Sequence, residues 1–523
     1  MRARQGDRER PPVRLWPAIA VAVVCAVVVT WVQLSDRTGQ SKFLTSAQAV
    51  AISLMLLVLW WTFLSRVRWK VRLIGLALLV VTGVAAFRAV RIRGVTGNLV
   101  PILAWTWSED PEAALSRESP APGGGVSPPT PASAPAAFDY PQFLGPDRNA
   151  TIVGLRLARD WSARPPREVW RREVGAGWSS FAVHDGMAVT QEQRGPDEMV
   201  VAYDLMTGDV VWSHGDPERF EETIGGIGPR ATPTIAGGRV YALGATGRLN
   251  ALDLATGVPI WSRNILTDND ATGPEWGNSG SPLVIDDLVV VSAGGRGRSL
   301  VAHDRETGEP VWAGGGDASG YSSPLVTTLA GVRQILIFNK GSVVAHDPAT
   351  GEELWSYPWP EMQPNVAQPL PLPGDRVLVS SGYGVGSKLL HVVLGPGGDA
   401  LDVELLWESP RLKAKFTTIV FRDGYVYGLD DGVLVCLDPD TGERRWKEGR
   451  YGHGQVLLVG DVLVVQTEDG DVALVEANPD RHLEIARIPV VSGRAWNTPA
   501  LAGPYLLVRN DREAVCLELA LEG

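Results

Sequence analysis

The sequence predicts an all-β fold: an eight-bladed β-propeller of four-stranded antiparallel blades, closed by an N-terminal strand and preceded by an α-helical transmembrane anchor. Three observations carry that expectation. A strand-turn-strand unit ending in an indole recurs through the chain, the last copy stops one strand short, and the first hundred residues hold three long apolar runs.

The recurring unit is clearest at Val433 to Trp446, V-L-V-C-L-D-P-D-T-G-E-R-R-W, and four further copies share its frame: Ala202 to Trp212, Ala251 to Trp261, Ala302 to Trp312 and Ala345 to Trp355. Each places an Asp two residues after a small residue, Thr-Gly three and four residues later, and Trp four beyond the Gly. The Asp is suited to bond backbone N–H groups of the turn, and Gly supplies the positive φ that ends it. The Trp is large enough to fill the space between neighbouring sheets. Trp170, Trp212, Trp261, Trp312, Trp355, Trp407 and Trp446 fall roughly 40 to 50 residues apart, the period of propeller blades.

Two copies depart from the pattern. Lys388 to Trp407 keeps the Trp but has a longer G-P-G-G-D loop, and Ala473 to Ile488 has Glu476 for the Asp and Ile485 near the Trp position. The final copy, N-T-P-A-L-A-G-P-Y-L-L-V-R-N-D-R-E-A-V-C-L-E-L, has three strands. Its fourth is expected from R-E-V-W-R-R-E-V ending at Val174, which closes eight blades and leaves no free edge. Seven blades remain if one irregular copy is an insertion.

Ahead of the repeats, Leu15 to Leu34, Ala47 to Leu64 and Leu73 to Phe87 are apolar runs, the first long enough to cross a hydrocarbon core of about 30 Å. Arg2, Arg4, Arg8, Arg10 and Arg14 precede the first run, and Arg66, Arg68, Lys70 and Arg72 separate the second from the third. The positive-inside rule then puts the N-terminus in the cytoplasm and the repeats on the extracytoplasmic, periplasmic side of the inner membrane. Arg88, Arg91 and Arg93 run against that rule. Leu99 to Trp107 is too short to span and, with two Trp, reads as interfacial. The expected organisation is a membrane anchor over 1–108, a Pro/Ala/Gly/Ser-rich linker over 109–139 and the propeller over 140–523.

Residues 1–100 carry 14 Lys and Arg against 3 Asp and Glu, so the remainder, 34 against 56, has a net charge of −22. An acidic body argues against nucleic acid as a partner. The three cysteines, Cys25, Cys436 and Cys516, form neither a C-x-x-C nor an adjacent pair, which excludes a cysteine zinc site and a dense disulfide framework. No G-x-S-x-G elbow, phosphate loop or H-E-x-x-H motif occurs, so no catalytic residue and no metal ligand is assigned.

The A-x-D-x-x-T-G-x-x-x-W repeat and its closure by an N-terminal strand resemble the pyrroloquinoline-quinone-like propeller family. That family includes quinoprotein alcohol dehydrogenases and non-enzymatic scaffolds such as the lipoprotein of the outer-membrane barrel-assembly machinery. The lead-in Y-P-Q-F-L-G-P-D-R-N, Tyr140 to Asn149, is similar to the start of membrane-anchored members. The scaffold branch implies binding of envelope proteins or ligands. The enzyme branch implies pyrroloquinoline quinone with a calcium or lanthanide ion held by Glu, Asn and Asp, a catalytic Asp and often a vicinal disulfide. This chain has no vicinal cysteines, and no such carboxylate set aligns.

In a propeller the start of each blade's innermost strand meets the axis. Aligned there, a small polar residue recurs: Ser179, Thr232, Ser281, Ser323, Gln368, Thr417, Gln455 and Thr498. Its expected role is to satisfy backbone groups and channel water. Two residues earlier stand Gly177, Arg230, Ser279, Tyr321, Val366, Lys415, His453 and Trp496, with Asn278 and Asn365 just before. Arg230, Asn278, Tyr321, Asn365, Lys415, His453 and Trp496 are the candidate ligand site, their cations and aromatics suiting an anionic or planar molecule. A cap on the funnel or a solvent-facing ring is the plainer reading. Asp268 to Asp270 and Asp438 with Asp440 carry metal-ligand residue types but lack a calcium-loop spacing, so both are expected to be turns. Glu221 and Glu222 are either an acid pair over the mouth or a loop.

Overall fold

A computed structural model describes residues 13–35, 37–108, 139–361, 364–395, 397 and 400–522. The arginines before Val13 and residues 109–138 of the expected linker lie outside the described residues. Two compact units result.

The first unit has three helices long and apolar enough to cross a bilayer. They are α1 (Trp16–Leu34), α2 (Gly39–Leu59), which continues through a π-helical turn at Trp60–Leu64, and α3 (Trp69–Ala89). The second is longer than the apolar run that announced it, because Thr38 caps a polar first turn, its hydroxyl accepting from the Ser41 N–H at 3.2 Å. Beyond α3 the expected interfacial segment is the return strand of a hairpin, Val90–Val95 against Pro101–Trp105.

The second unit is the eight-bladed propeller. Seven blades are sequential four-stranded meanders, and the eighth pairs Glu513–Glu518 with Arg167–Glu173 from the other end of the body. The expected closure is therefore present. Its seam is polar and buried: Arg509 of blade eight donates to the Thr190 hydroxyl at 2.6 Å, to the Gln191 carbonyl at 3.1 Å and to the Gly175 carbonyl at 3.0 Å. Nearby, Arg194 and the Tyr203 hydroxyl both reach Glu192 in blade one.

The repeated unit works as a clasp between blades. Asp204 accepts from the N–H groups of Met206 and Thr207 at 2.9 and 2.8 Å, and Asp253, Asp304, Asp347 and Asp438 cap their turns the same way. Each closing Trp then donates its indole N–H to a clasp carbonyl of the next blade: Trp170 to Leu205, Trp212 to Leu254, Trp261 to Arg305, Trp312 to Pro348 and Trp407 to Pro439, at 2.8 to 3.1 Å. Where blade five lacks the clasp, Trp355 turns instead to the Gln334 side chain. In blade seven Leu474 pairs with Ala486, so Ala486, next to Ile485, stands where the other blades carry Trp. Cys436 and Cys516 occupy matching positions, opposite Trp446 and Trp170, and burial pushes both thiols up to about 12.

The lead-in does more than precede the first blade: it crosses the axis. Tyr140 exchanges two backbone hydrogen bonds with Val183 of blade one, the Pro141 carbonyl accepts from Ile235 of blade two, and the Ala150 carbonyl accepts from Leu458 of blade seven. Thr151–Ile152 adds a parallel strand inside Gln455–Val459. Leu144, Arg148 and Ala150 hold positive φ, a strained conformation that this packing fixes.

Candidate functional site

With one end of the axis filled by the lead-in, the other end is built from two sets of loops. One set leads into each innermost strand; the other joins the second and third strands of each blade. In an antiparallel blade both lie on the same face.

Beneath the mouth is a collar of side chains that staples blade to blade. The Ser180 N–H donates to the Thr232 hydroxyl at 3.1 Å, Thr232 to Ser281 at 2.9 Å, Ser281 to Ser323 at 2.9 Å and Ser323 to Gln368 at 3.2 Å. The Thr418 N–H continues the pattern onto Gln455. These are the small polar residues expected to satisfy backbone groups, with Ser180 and Thr418 donating instead of Ser179 and Thr417. Arg148 rises from the lead-in to this level, donating to the carbonyls of Ser281 and Pro282 at 2.9 and 3.0 Å. It is 2% exposed, and burial lowers its pKa only to about 9, so a cation sits under the mouth at neutral pH.

Aromatic and charged side chains line the walls in several contact groups. Trp178 and Trp496 lie 5.0 Å apart, centroid to centroid, and the Arg494 guanidinium covers both at 4.5 and 4.3 Å. Arg230 stacks on Phe220 at 4.3 Å and donates to the carbonyls of Gly226 and Gly228. Trp276 stacks on Tyr321 at 5.4 Å. Lys415 lies 5.1 Å from the Tyr383 ring, and Phe416 bridges His453 and Trp496 at 5.6 and 4.9 Å. Glu468 ties the last blades together, accepting from the His453 N–H and the Trp496 indole, both at 3.0 Å.

Electrostatically the mouth carries both signs. Burial lowers Arg230 to about 10, against the opposing pull of Glu198 and Glu222, and also lowers Lys415, which Asp431 and Glu468 draw upward. Burial, reinforced by Lys415, takes His453 down to about 4, so its imidazole is neutral at pH 7. Asp431 is raised by burial; neither of its buried carboxylate oxygens has a hydrogen-bond partner among the described residues, its nearest cation being Lys413 at 3.7 Å. The buried indole N–H of Trp276 likewise has no partner there.

Of the seven candidates, Arg230, Tyr321, Lys415, His453 and Trp496 meet around this mouth. Asn278 and Asn365 are buried brackets: Asn278 donates to the Ala245 carbonyl at 3.0 Å, and Asn365 to the carbonyls of Asn339 and Lys340 at 3.0 and 2.9 Å. Their amides hold the second-to-third-strand turns that form the rim. Glu222 also caps its own turn, accepting from Ile224 and Gly225, within the short hairpin Glu221–Glu222/Gly226–Ile227. Trp178, Phe220, Trp276, Tyr383, Phe416, Arg494, Asp431 and Arg148 were not anticipated. The available signal was the set of aromatics outside the repeat frame, since Trp178, Trp276 and Trp496 occupy no clasp position. Asp268 lies in a 3-10 turn at the outer rim, as its composition suggested.

A family model described as outer membrane protein assembly factor BamB matches residues 156–277 and 274–448. The assembly factor of that name from Xanthomonas campestris is 33% identical over 138 residues, which is 26% of this chain and 31% of that protein. Quinohemoprotein alcohol dehydrogenase ADH-IIG from Pseudomonas putida is 31% identical over 138 residues, 25% of this chain and 18% of that protein. The chain thus spans less than a third of these relatives' lengths. Among solved structures, BamB from Moraxella catarrhalis superposes with a TM-score of 0.50 at 17% identity over 68% of this chain and 97% of that one. Quinohemoprotein alcohol dehydrogenase from Comamonas testosteroni gives 0.52 at 16% identity over 74% and 81%. Both superpositions show the fold.

Proposed function

Because the chain belongs to the family of outer membrane protein assembly factor BamB, a quinoprotein-like propeller family, we propose that it is a membrane-tethered binding and scaffolding module for envelope proteins or ligands. Its working end is the open mouth. The observation that carries this is the contrast between the two ends of the axis, one filled by Tyr140 to Ile152 and the other ringed by Arg230, Arg494, Lys415 and seven half-buried aromatic rings. A planar or anionic group is the chemistry that such a ring, with Arg148 beneath it, receives best. The relatives named for outer-membrane assembly support an envelope partner. The three apolar helices, with Arg66, Arg68, Lys70 and Arg72 between the last two, support an inner-membrane anchor that delivers the propeller outside the cytoplasm.

The second reading, a quinone-dependent dehydrogenase for alcohols or sugars, draws on the same cations and rings, which suit a planar polycarboxylate such as pyrroloquinoline quinone. The accompanying metal ion does not fit. Glu222 and Glu468 already accept N–H donors, Asp431 lies beside Lys413, and no three His, Cys, Asp or Glu converge as metal ligands among the described residues. No catalytic step is derived through that cofactor.

Titrating the full chain in detergent with pyrroloquinoline quinone, with and without calcium, separates the readings. Saturable, calcium-independent binding that is lost in Arg230→Gln, without oxidation of alcohols or sugars, is the expected result. Calcium-dependent turnover would favour the dehydrogenase, and no saturation by this or any simpler planar carboxylate would overturn the mouth as a ligand site. A reporter fused after the C-terminus that is active only in the cytoplasm would overturn the topology.

A further inference from the structure

The hairpin that follows α3 belongs to the first unit, and its composition is unlike that of a soluble turn. It begins at Val90, with no residue between it and the helix ending at Ala89. Its register pairs Val90 with Trp105 and Ile92 with Leu103, so these four share one face, while Arg91 opposite Ala104 belongs to the other. Ile92, Leu103, Trp105 and the neighbouring Trp107 are between 55% and 70% exposed. Trp105 and Trp107 stack at 4.9 Å with planes 13° apart. The return strand is tied back to the helix end, the Thr106 N–H donating to the Ala89 carbonyl at 3.0 Å and its hydroxyl to the Arg88 carbonyl at 3.2 Å. The chain therefore leaves the hairpin at the level where it left α3.

A two-stranded hairpin with an uncovered apolar face is marginal in water, and its unpaired edges are costly in hydrocarbon. Only the interface serves both the apolar face and the edges, and stacked Trp residues are side chains suited to it. The charge agrees: between Asp36 and Glu109 the sequence has nine Lys and Arg and no Asp or Glu. Three of the nine, Arg88, Arg91 and Arg93, fall at the end of α3 and in the hairpin, on the side where the positive-inside rule expects few.

We propose that the hairpin Val90–Trp105 lies on the bilayer at the far end of α3 and binds anionic phospholipid, with Val90, Ile92, Leu103 and Trp105 against the acyl boundary and Arg88, Arg91 and Arg93 on headgroup phosphates. Long arginine stems reach phosphates while their aliphatic portions stay at the boundary. The inference rests on α3 crossing the membrane.

The test uses the full chain in nanodiscs of phosphatidylcholine with and without phosphatidylglycerol, reading amide hydrogen exchange over residues 90–107. Exchange is expected to slow by at least ~10-fold when the anionic lipid is added, with roughly 5-fold of that effect lost per arginine in Arg91→Gln and Arg93→Gln. Arg91→Lys with Arg93→Lys should keep most of it, because charge rather than fork geometry is at work. Leu103→Glu should release the hairpin in both lipids. Exchange that ignores the anionic lipid, or protection that persists unchanged in detergent because the hairpin docks on protein, would overturn the proposal. Failure of the chain to enter the discs would instead overturn the anchor on which it rests.

Discussion

The clasp makes a quantitative demand on one glycine. Gly308 has φ +73°, and a Cβ placed on it would stand 2.6 Å from Cδ2 of Trp261, the indole of the preceding blade. Gly308→Ala should therefore carry two penalties: about 1 kcal/mol for an L-residue in the left-handed region, and about 1–3 kcal/mol for driving a methyl group into a packed ring. The same blade contains a control. Gly297 has φ +70° and nothing within 4 Å of its would-be Cβ, so Gly297→Ala should show the backbone penalty alone. Trp261→Ala should lose about 3–5 kcal/mol, since the ring is 9% exposed and its N–H bonds the Arg305 carbonyl at 3.0 Å. In the double variant the methyl group meets space rather than a ring, so the loss should fall short of the sum by about 1–3 kcal/mol. Guanidinium unfolding of the full chain, followed by circular dichroism at constant m-value, measures all four variants. Additivity within about 0.5 kcal/mol, or equal losses for Gly308→Ala and Gly297→Ala, would refute the contact as the reason for the glycine.

The closure seam should be as sensitive: Arg509→Met strands the Thr190 hydroxyl, the carbonyls of Gln191 and Gly175 and the nearby Glu192 charge, and should cost about 3–5 kcal/mol in the same assay. Trp446→Ala, which removes a 7% exposed ring bonded to the Asn478 carbonyl at 2.8 Å, should lose about 3–5 kcal/mol, with Trp446→Phe closer to 1–2 kcal/mol. Two buried groups should bend the stability profile in opposite directions. His453, held near 4 in the fold, is neutral there while the unfolded chain takes up a proton below about 6.5, so stability should fall from that pH towards 4, and His453→Gln should flatten the fall. Glu198, pushed up to about 7 chiefly by burial, keeps its proton in the fold after the unfolded chain has lost it. Stability should therefore decline as pH rises from about 4.5 through 7, and Glu198→Gln should be more stable than the parent by about 1–3 kcal/mol near pH 8. Denaturation midpoints across pH check both signs.

What was legible in the sequence is what repetition enforces. Asp204, Gly208 and Trp212 recur with fixed spacing because each clasp must meet the Trp of one neighbour and send its own Trp to the other. That reciprocal constraint made blade number, closure and Trp docking readable from residue types alone. The register of blade seven was less so, because Ala486 gives no indole to mark the position, which the sequence locates only to the neighbourhood of Ile485. At the mouth, alignment on the innermost strands found Arg230, Tyr321, Lys415, His453 and Trp496 because they share one loop position. Tyr383, Asp431 and Glu468 come from the hairpins between second and third strands, which that alignment never samples. Asn278 and Asn365 were grouped with the wall although their amides face the backbone, a distinction that depends on side-chain direction and leaves no trace in spacing.

The lead-in changes what the mouth can do. An open channel would let solvent and ligands pass between the two faces and would leave the innermost strands with unpaired edges on the axis. Tyr140 to Ile152 pairs with several of those edges, and its Arg148 brings a buried cation to the polar collar, bonded to the Gln142 amide oxygen and the carbonyls of Ser281 and Pro282. Neutral carbonyls and one amide oxygen hold that guanidinium, so its field toward the mouth is not cancelled locally. The acidic composition of the body and the buried Arg148 cation beneath its mouth are thus of opposite sign. The anion binding proposed for the mouth rests on this floor, which the segment Tyr140 to Ile152 supplies.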